Sequence, residues 1–120
     1  MTPSYVPDSS TELVQRLVDR VPVLRPAYEE HLADYDLVLP HVFFGDVTRW
    51  AVASYIAGDN GWRTLVAFLE EEYADADYDA QAVIEQSFVE NLPYPHEEGY
   101  GIEREFGPRL TEMYRQQRPS

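Results

Sequence analysis

The chain has no cysteine and no lysine. The first absence excludes disulfides, thiolate metal centres and a cysteine nucleophile. The second leaves nine arginines as the only side chains of fixed positive charge, against 22 carboxylates and a formal net charge of −13. Long apolar runs are also missing. Stretches such as Val42-Phe43-Phe44 fall far short of the ~20 residues a membrane-spanning helix needs. Residues 1–7 have neither a basic stretch nor an apolar core, so no secretory signal is expected and the chain reads as cytoplasmic. Internal repeats, low-complexity segments and a linker long enough to divide domains are absent too.

What is present is a domain-sized, strongly apolar chain. Its 120 residues include 44% hydrophobic and 16 aromatic side chains, enough to form a core despite the charge. The sequence is read as one helical domain over 1–120, with residues 1–8 as a loose lead-in. The periodicity is helical nearly throughout. Leu13, Val14, Leu17, Val18 and Val21 mark a first helix near 10–21, with Ser9 and Glu12 at capping-box spacing and Pro22 interrupting it. Pro26 opens a second helix to about Tyr35, with Leu24, Tyr28, His31, Leu32 and Tyr35 along one face. Residues 37–45 show no helical period and contain Pro40 and Gly45, so an extended, core-packed segment, with room for a short strand, is expected there. Asp46 then caps a third helix to about Ala57.

Trp62, Leu65, Val66, Leu69 and Tyr73 give the clearest stripe, a fourth helix ending at Glu70, Glu71 and Glu72. Asp77 or Asp79 caps a fifth helix carrying Val83, Ile84, Phe88 and Leu92. A last helix carries Ile102, Phe106, Leu110, Met113 and Tyr114 and is kinked or split at Gly107-Pro108. Short connections imply antiparallel neighbours. The expected fold is all-α, a compact bundle of five to six helices or a short stack of helical hairpins, with one extended segment near 37–45.

The block His41-Val42-Phe43-Phe44-Gly45-Asp46-Val47-Thr48 resembles a motif of a family of uncharacterised bacterial helical proteins, a domain of unknown function. Ala67-Phe68-Leu69-Glu70 and Ser87-Phe88-Val89-Glu90-Asn91-Leu92 are similar to later blocks of the same family. The resemblance implies a helical domain and carries no assigned enzyme activity. In size and acidity its members resemble the small immunity proteins that neutralise antibacterial toxins, a likeness of class that transfers no functional residue. The residues of the first block also have local reasons of their own. Phe43 and Phe44 supply apolar area, Gly45 permits a bend and Asp46 caps a helix.

Motifs for chemistry are sparse. Asp75, Asp77 and Asp79 match the first positions of a calcium loop, but Ala80 and Gln86 stand where Gly and Glu are needed. His31, His41 and His96 lack the spacing of a metal-ligand set. There is no nucleophile elbow around Ser54 or Ser87 and no glycine-rich phosphate loop. Neither catalysis nor a metal or cofactor is expected.

The charge distribution is the remaining signal. Residues 64–103 hold eleven carboxylates and no arginine, with Tyr73, Tyr78, Tyr94 and Tyr100 between them. This pattern disfavours direct binding to nucleic acid or an anionic membrane. It suits docking of a basic protein, in the sharpest form a toxin domain such as a nuclease whose groove the carboxylates occlude. The residues expected to carry that contact are Glu70, Glu71, Glu72, Asp75, Asp77, Asp79, Glu97 and Glu98, with Tyr78 and Tyr94 as anchors. The alternative is a non-catalytic adaptor or structural module bound through an apolar helix face.

Overall fold

A computed structural model describes residues 9–118, which are all-helical, with no strand among the described residues. The expected lead-in over residues 1–8 lies outside that range. The helices are α1 (Ser9–Arg20), α2 (Arg25–Tyr35), α3 (Pro40–Ile56), α4 (Gly61–Asp75), α5 (Tyr78–Val83) and α6 (Pro108–Gln117). Short 3₁₀ turns occupy Pro22–Leu24 and Ile102–Glu105, and a π-helical segment, Ile84–Val89, continues α5. None of these helices is long and apolar enough to cross a membrane.

One core joins them all. Leu13, Val14 and Leu17 of α1 meet Leu65 and Leu69 of α4, with Phe43 and Phe44 of α3 and Phe88 of the π segment, all fully buried. Burial of each such side chain contributes about 1.5–3 kcal/mol. The α1 and α4 stripes are therefore those that the sequence period marks. The division at Gly107-Pro108 is also as expected, with the 3₁₀ turn ending at Glu105 and α6 starting at Pro108.

Three local expectations are corrected. The segment 37–45 is extended only as far as Leu39, and α3 already begins at Pro40. Proline is pre-set for a first helical position, where its missing N–H is not needed. Gly45 consequently sits inside a helix, buried, and makes no bend, while Asp46 lies in the second turn, paired with Arg49, instead of capping. Ser9 does not form a capping box. It lies inside the first turn of α1, and its hydroxyl donates to Asp77 Oδ1 at 2.6 Å.

The seam between α3 and the π segment holds the halves together. Glu90 N–H donates to the Glu85 carbonyl at 3.1 Å, the wide five-residue spacing of a π turn. Such a turn leaves carbonyls poorly served by their own helix, and neighbouring elements serve them here. Thr48 Oγ1, fully buried on α3, reaches the carbonyls of Phe44 (2.9 Å), Ser87 (3.1 Å) and Phe88 (3.4 Å). Asn91 donates to the Ser87 carbonyl, Gln117 to that of Glu85, and Arg118 to those of Glu90 and Pro93. The loop that follows lies flat on α3. Gly99, at φ +92°, has no room for a side chain, since a Cβ would stand 2.5 Å from Val52.

Thr48→Val keeps the shape and deletes the hydroxyl. It is expected to lower stability by about 1–2 kcal/mol, because a buried carbonyl of the π turn loses its donor. Urea unfolding at unchanged slope checks this, and an unmoved midpoint would show that the seam does not depend on Thr48.

Candidate functional site

The carboxylates of residues 64–103 do not stand alone as their sequence suggests. Glu70 is turned inward to the start of α6. That helix begins Gly107-Pro108 and has no side chain of its own at the capping position. The Glu70 carboxylate takes the role from α4, accepting from Arg109 N–H at 2.7 Å and Leu110 N–H at 3.0 Å, with the Arg109 guanidinium at 3.6 Å. A negative group against exposed helical N–H groups is favourable for both hydrogen bonding and the helix dipole. A side chain at 107 would displace this carboxylate from its cap, since a Cβ there would lie 2.6 Å from the Glu70 carboxyl carbon.

Glu72 accepts from Arg16 of α1 at 2.6 Å, and Glu71 faces Arg20 at 3.7 Å. Glu70 and Glu71 also precede the last turn of α4, which runs on to Asp75, and only Glu72 begins that turn. They therefore lock α4 to α1 and α6 and do not form an unneutralised outward face.

The other expected docking residues divide between two places. Asp77 caps α5 through Ala80 N–H at 3.1 Å while accepting from Ser9. Beside it Asp75, Asp79 and Tyr78 are exposed, Tyr78 at 81%. This turn sits against the start of α1. Glu97 and Glu98 instead flank a groove of about 290 Å³ against Arg49, Val52 and Ile56 in the later part of α3. There Glu97 accepts from Tyr94 N–H at 2.8 Å, and one face of the half-exposed Tyr94 ring is covered by the Arg118 guanidinium at 4.2 Å. Asp75, Tyr78, Asp79 and Glu98 are the exposed members of the expected set that meet no ion-pair, hydrogen-bond or ring partner among the described residues.

Sequence reasoning passed over two constellations. The first is a pair, His41 Nδ1 and Ser87 Oγ at 2.7 Å, joining α3 to the π segment. Ser87 is buried, and neither residue lines the groove beside Glu98 or the one at the α2–α3 corner, so the contact serves the seam. That corner is the second constellation. There His31, buried, lines a groove of about 390 Å³ with Glu30, Asp34 and Asp46. Carboxylates at helical spacing on α2 were legible in the sequence, but His31 was readable only as an apolar-face residue. Among the described residues no group of three or more His, Asp or Glu side chains is placed to hold a metal ion.

The Tyr73 phenol is perturbed by its surroundings. Partial burial, then the hydrogen bond to Glu85 at 2.6 Å and that carboxylate's charge, push its phenol up to about 12. Because the folded value lies above the unfolded one, the stability it contributes is intact below pH ~10. It is lost as pH rises towards 12. Tyr73→Phe is expected to flatten that alkaline loss, measured by urea unfolding across the same pH range. An equal loss in both proteins would remove Tyr73 as its cause.

Glu70→Ala is expected to cost about 1–2 kcal/mol as a lost cap. Gly107→Ala is expected to cost a comparable ~1–3 kcal/mol by overpacking. Combined, they should cost clearly less than their sum, because truncating the glutamate removes the atoms the new Cβ would strike. Strict additivity in thermal unfolding would refute the contact.

The family model for a domain of unknown function, DUF7674, matches residues 14–119. No curated protein and no solved structure matches the chain. Since the match runs from within α1 to beyond the end of α6, the chain belongs to the DUF7674 family.

Proposed function

We propose that this chain is a non-catalytic binding protein that engages a basic protein in the cytoplasm. In its most specific form it is a bacterial immunity protein that covers the nucleic-acid groove of a toxin. One observation carries the reading. Among the described residues, seven ion pairs engage six of the nine arginines, each with a carboxylate of the same chain. Arg118 is directed to backbone carbonyls and to the Tyr94 and Tyr114 rings. The positive charge is largely used inside the molecule, and the charge left outside is overwhelmingly negative. A surface of that sign attracts cationic partners, speeds their encounter and repels nucleic acid. A basic groove built for phosphates is complementary to it.

A second reading, a helical adaptor bound through apolar contact, is favoured by a different feature. Val23, Tyr35, Leu37 and Val42 are large apolar side chains left 43–61% exposed around α2 and the start of α3.

Salt separates the two. A partner captured from the source organism and identified by mass spectrometry is expected to be basic. Its association rate should fall by about 10-fold or more from low to high ionic strength. A neutral or acidic partner, or a rate indifferent to salt, would overturn the electrostatic reading in favour of the adaptor.

A further inference from the structure

The corner formed by α2 and the first turns of α3 concentrates what the rest of the fold leaves unmatched. Helix α2 carries Glu29, Glu30 and Asp34, with Asp36 directly after it. Its one cation, Arg25, is turned back to Asp19 at 3.1 Å. No donor among the described residues meets those four carboxylates. Asp34 and Asp36 also stand at the helix C-terminus, where the dipole disfavours negative charge.

His31 provides an independent sign. It is the one buried side chain of α2, 3% exposed. Its Nε2 lies 2.9 Å from Leu39 N–H, the residue that precedes α3. A backbone N–H can only donate, so Nε2 is the acceptor and the ring proton belongs on Nδ1. That Nδ1–H is buried and has no acceptor. An unpaired buried donor is destabilising, and nothing inside the fold offsets it.

The imidazole lines the groove of about 390 Å³ together with Ala27, Glu30, Asp34, Tyr35 and Asp46. Tyr35, half exposed, packs against the imidazole with centroids 4.9 Å apart, and a ligand reaching the buried Nδ1 would have to displace its ring. The chemistry of this lining is selective. The carboxylates repel anions. The donor calls for an acceptor, which a bare metal ion lacks. A ligand carrying both a cation and a carbonyl fits, and a basic peptide segment has both. Glu30 and Asp34 are one helical turn apart, about 5–6 Å between Cβ atoms, a spacing a guanidinium can bridge. Leu37 and Val42 leave apolar surface near the groove for neighbouring side chains of such a segment.

We propose that this groove is the docking point for an arginine of a basic protein partner, its guanidinium between Glu30 and Asp34 and a backbone carbonyl of its segment accepting from His31 Nδ1–H. The proposal rests on the basic-partner reading above and places that contact on α2, away from the turn at 75–79 and from Glu98.

N-acetyl-arginine amide titrated into the ¹⁵N-labelled full chain tests it by NMR. Saturable shifts are expected at the His31 imidazole nitrogens and at the amides of residues 30–35. N-acetyl-glutamine amide, which lacks the cation, should not produce them. The double substitution Glu30→Gln, Asp34→Asn should weaken binding by about 10-fold or more without lowering the thermal midpoint, since both side chains are exposed and Asp34 stands at the unfavourable end of the helix dipole. Saturable shifts confined to residues 75–79 or to Glu98 would overturn the α2 site and leave the basic-partner reading standing. No saturable shift at any carboxylate would count against both.

Discussion

Nine arginines serve 22 carboxylates in this chain, and where each guanidinium goes decides both how the helices are joined and which surface stays anionic. Four of the ion-paired arginines tie elements far apart in sequence, among them Arg109 of α6 beside Glu70 of α4. Arg16 and Arg20 bind α1 to α4, and Arg63 links the first turn of α4 to Glu105. Most of these pairs are surface-exposed, so each adds at most about 1 kcal/mol. Their weight lies in charge balance, because Arg16, Arg20 and Arg109 answer three consecutive glutamates of α4. Backbone N–H groups hold carboxylates as well. Asp77 caps α5, Glu70 caps α6, and Glu103 accepts from Gly101 N–H at 2.8 Å.

This division explains what the sequence could and could not show of the candidate site. Counting charge over a window treats residues as neighbours because they are consecutive. Glu72 and Arg16 are 56 positions apart, and Glu70 meets the start of α6 about 40 positions later. The run of three glutamates that looks most anionic on paper is therefore answered from elsewhere in the chain. Helix α2 shows the reverse. In the linear count its acids are averaged with Arg16, Arg20 and Arg25. In space Arg16 and Arg20 face α4 and Arg25 turns to Asp19, so the α2 carboxylates are left without a cation.

The fold was more legible than the site, for a local reason. Helices α1 and α4 bury one stripe each and expose the rest, so their period survives in the sequence. Asp77 announces a helix start that needs only its own next turn. Helix α3 hides its period. Its buried residues Phe43, Phe44, Val47, Thr48, Ala51 and Ser54 do recur at helical spacing, but Val42, Val52 and Ile56 add apolar residues outside that face. Pro40 and Gly45 look like breakers only until Pro40 is recognised as the first helical residue and Gly45 as a buried position within α3. The π segment leaves no local signature, because its wide turn is sustained by Thr48, Asn91, Gln117 and Arg118 from outside it.

The same logic bears on α2. A helix with one buried side chain, acids at its C-terminal end and Asp36 held at φ +62° gains little from the core and carries unfavourable local terms. Tyr28 packs edge-on against Phe43, and His31 fastens the helix further through its contacts with Phe43 and Tyr35 and the bond it accepts from Leu39. His31 therefore couples α2 to the start of α3, and through Phe43 to the core. A ligand group that satisfied Nδ1 while neutralising Glu30 and Asp34 would act on all three liabilities of the element at once. Such a group would stabilise α2 most where the isolated fold stabilises it least, and that is the physical sense in which the corner is built to be covered.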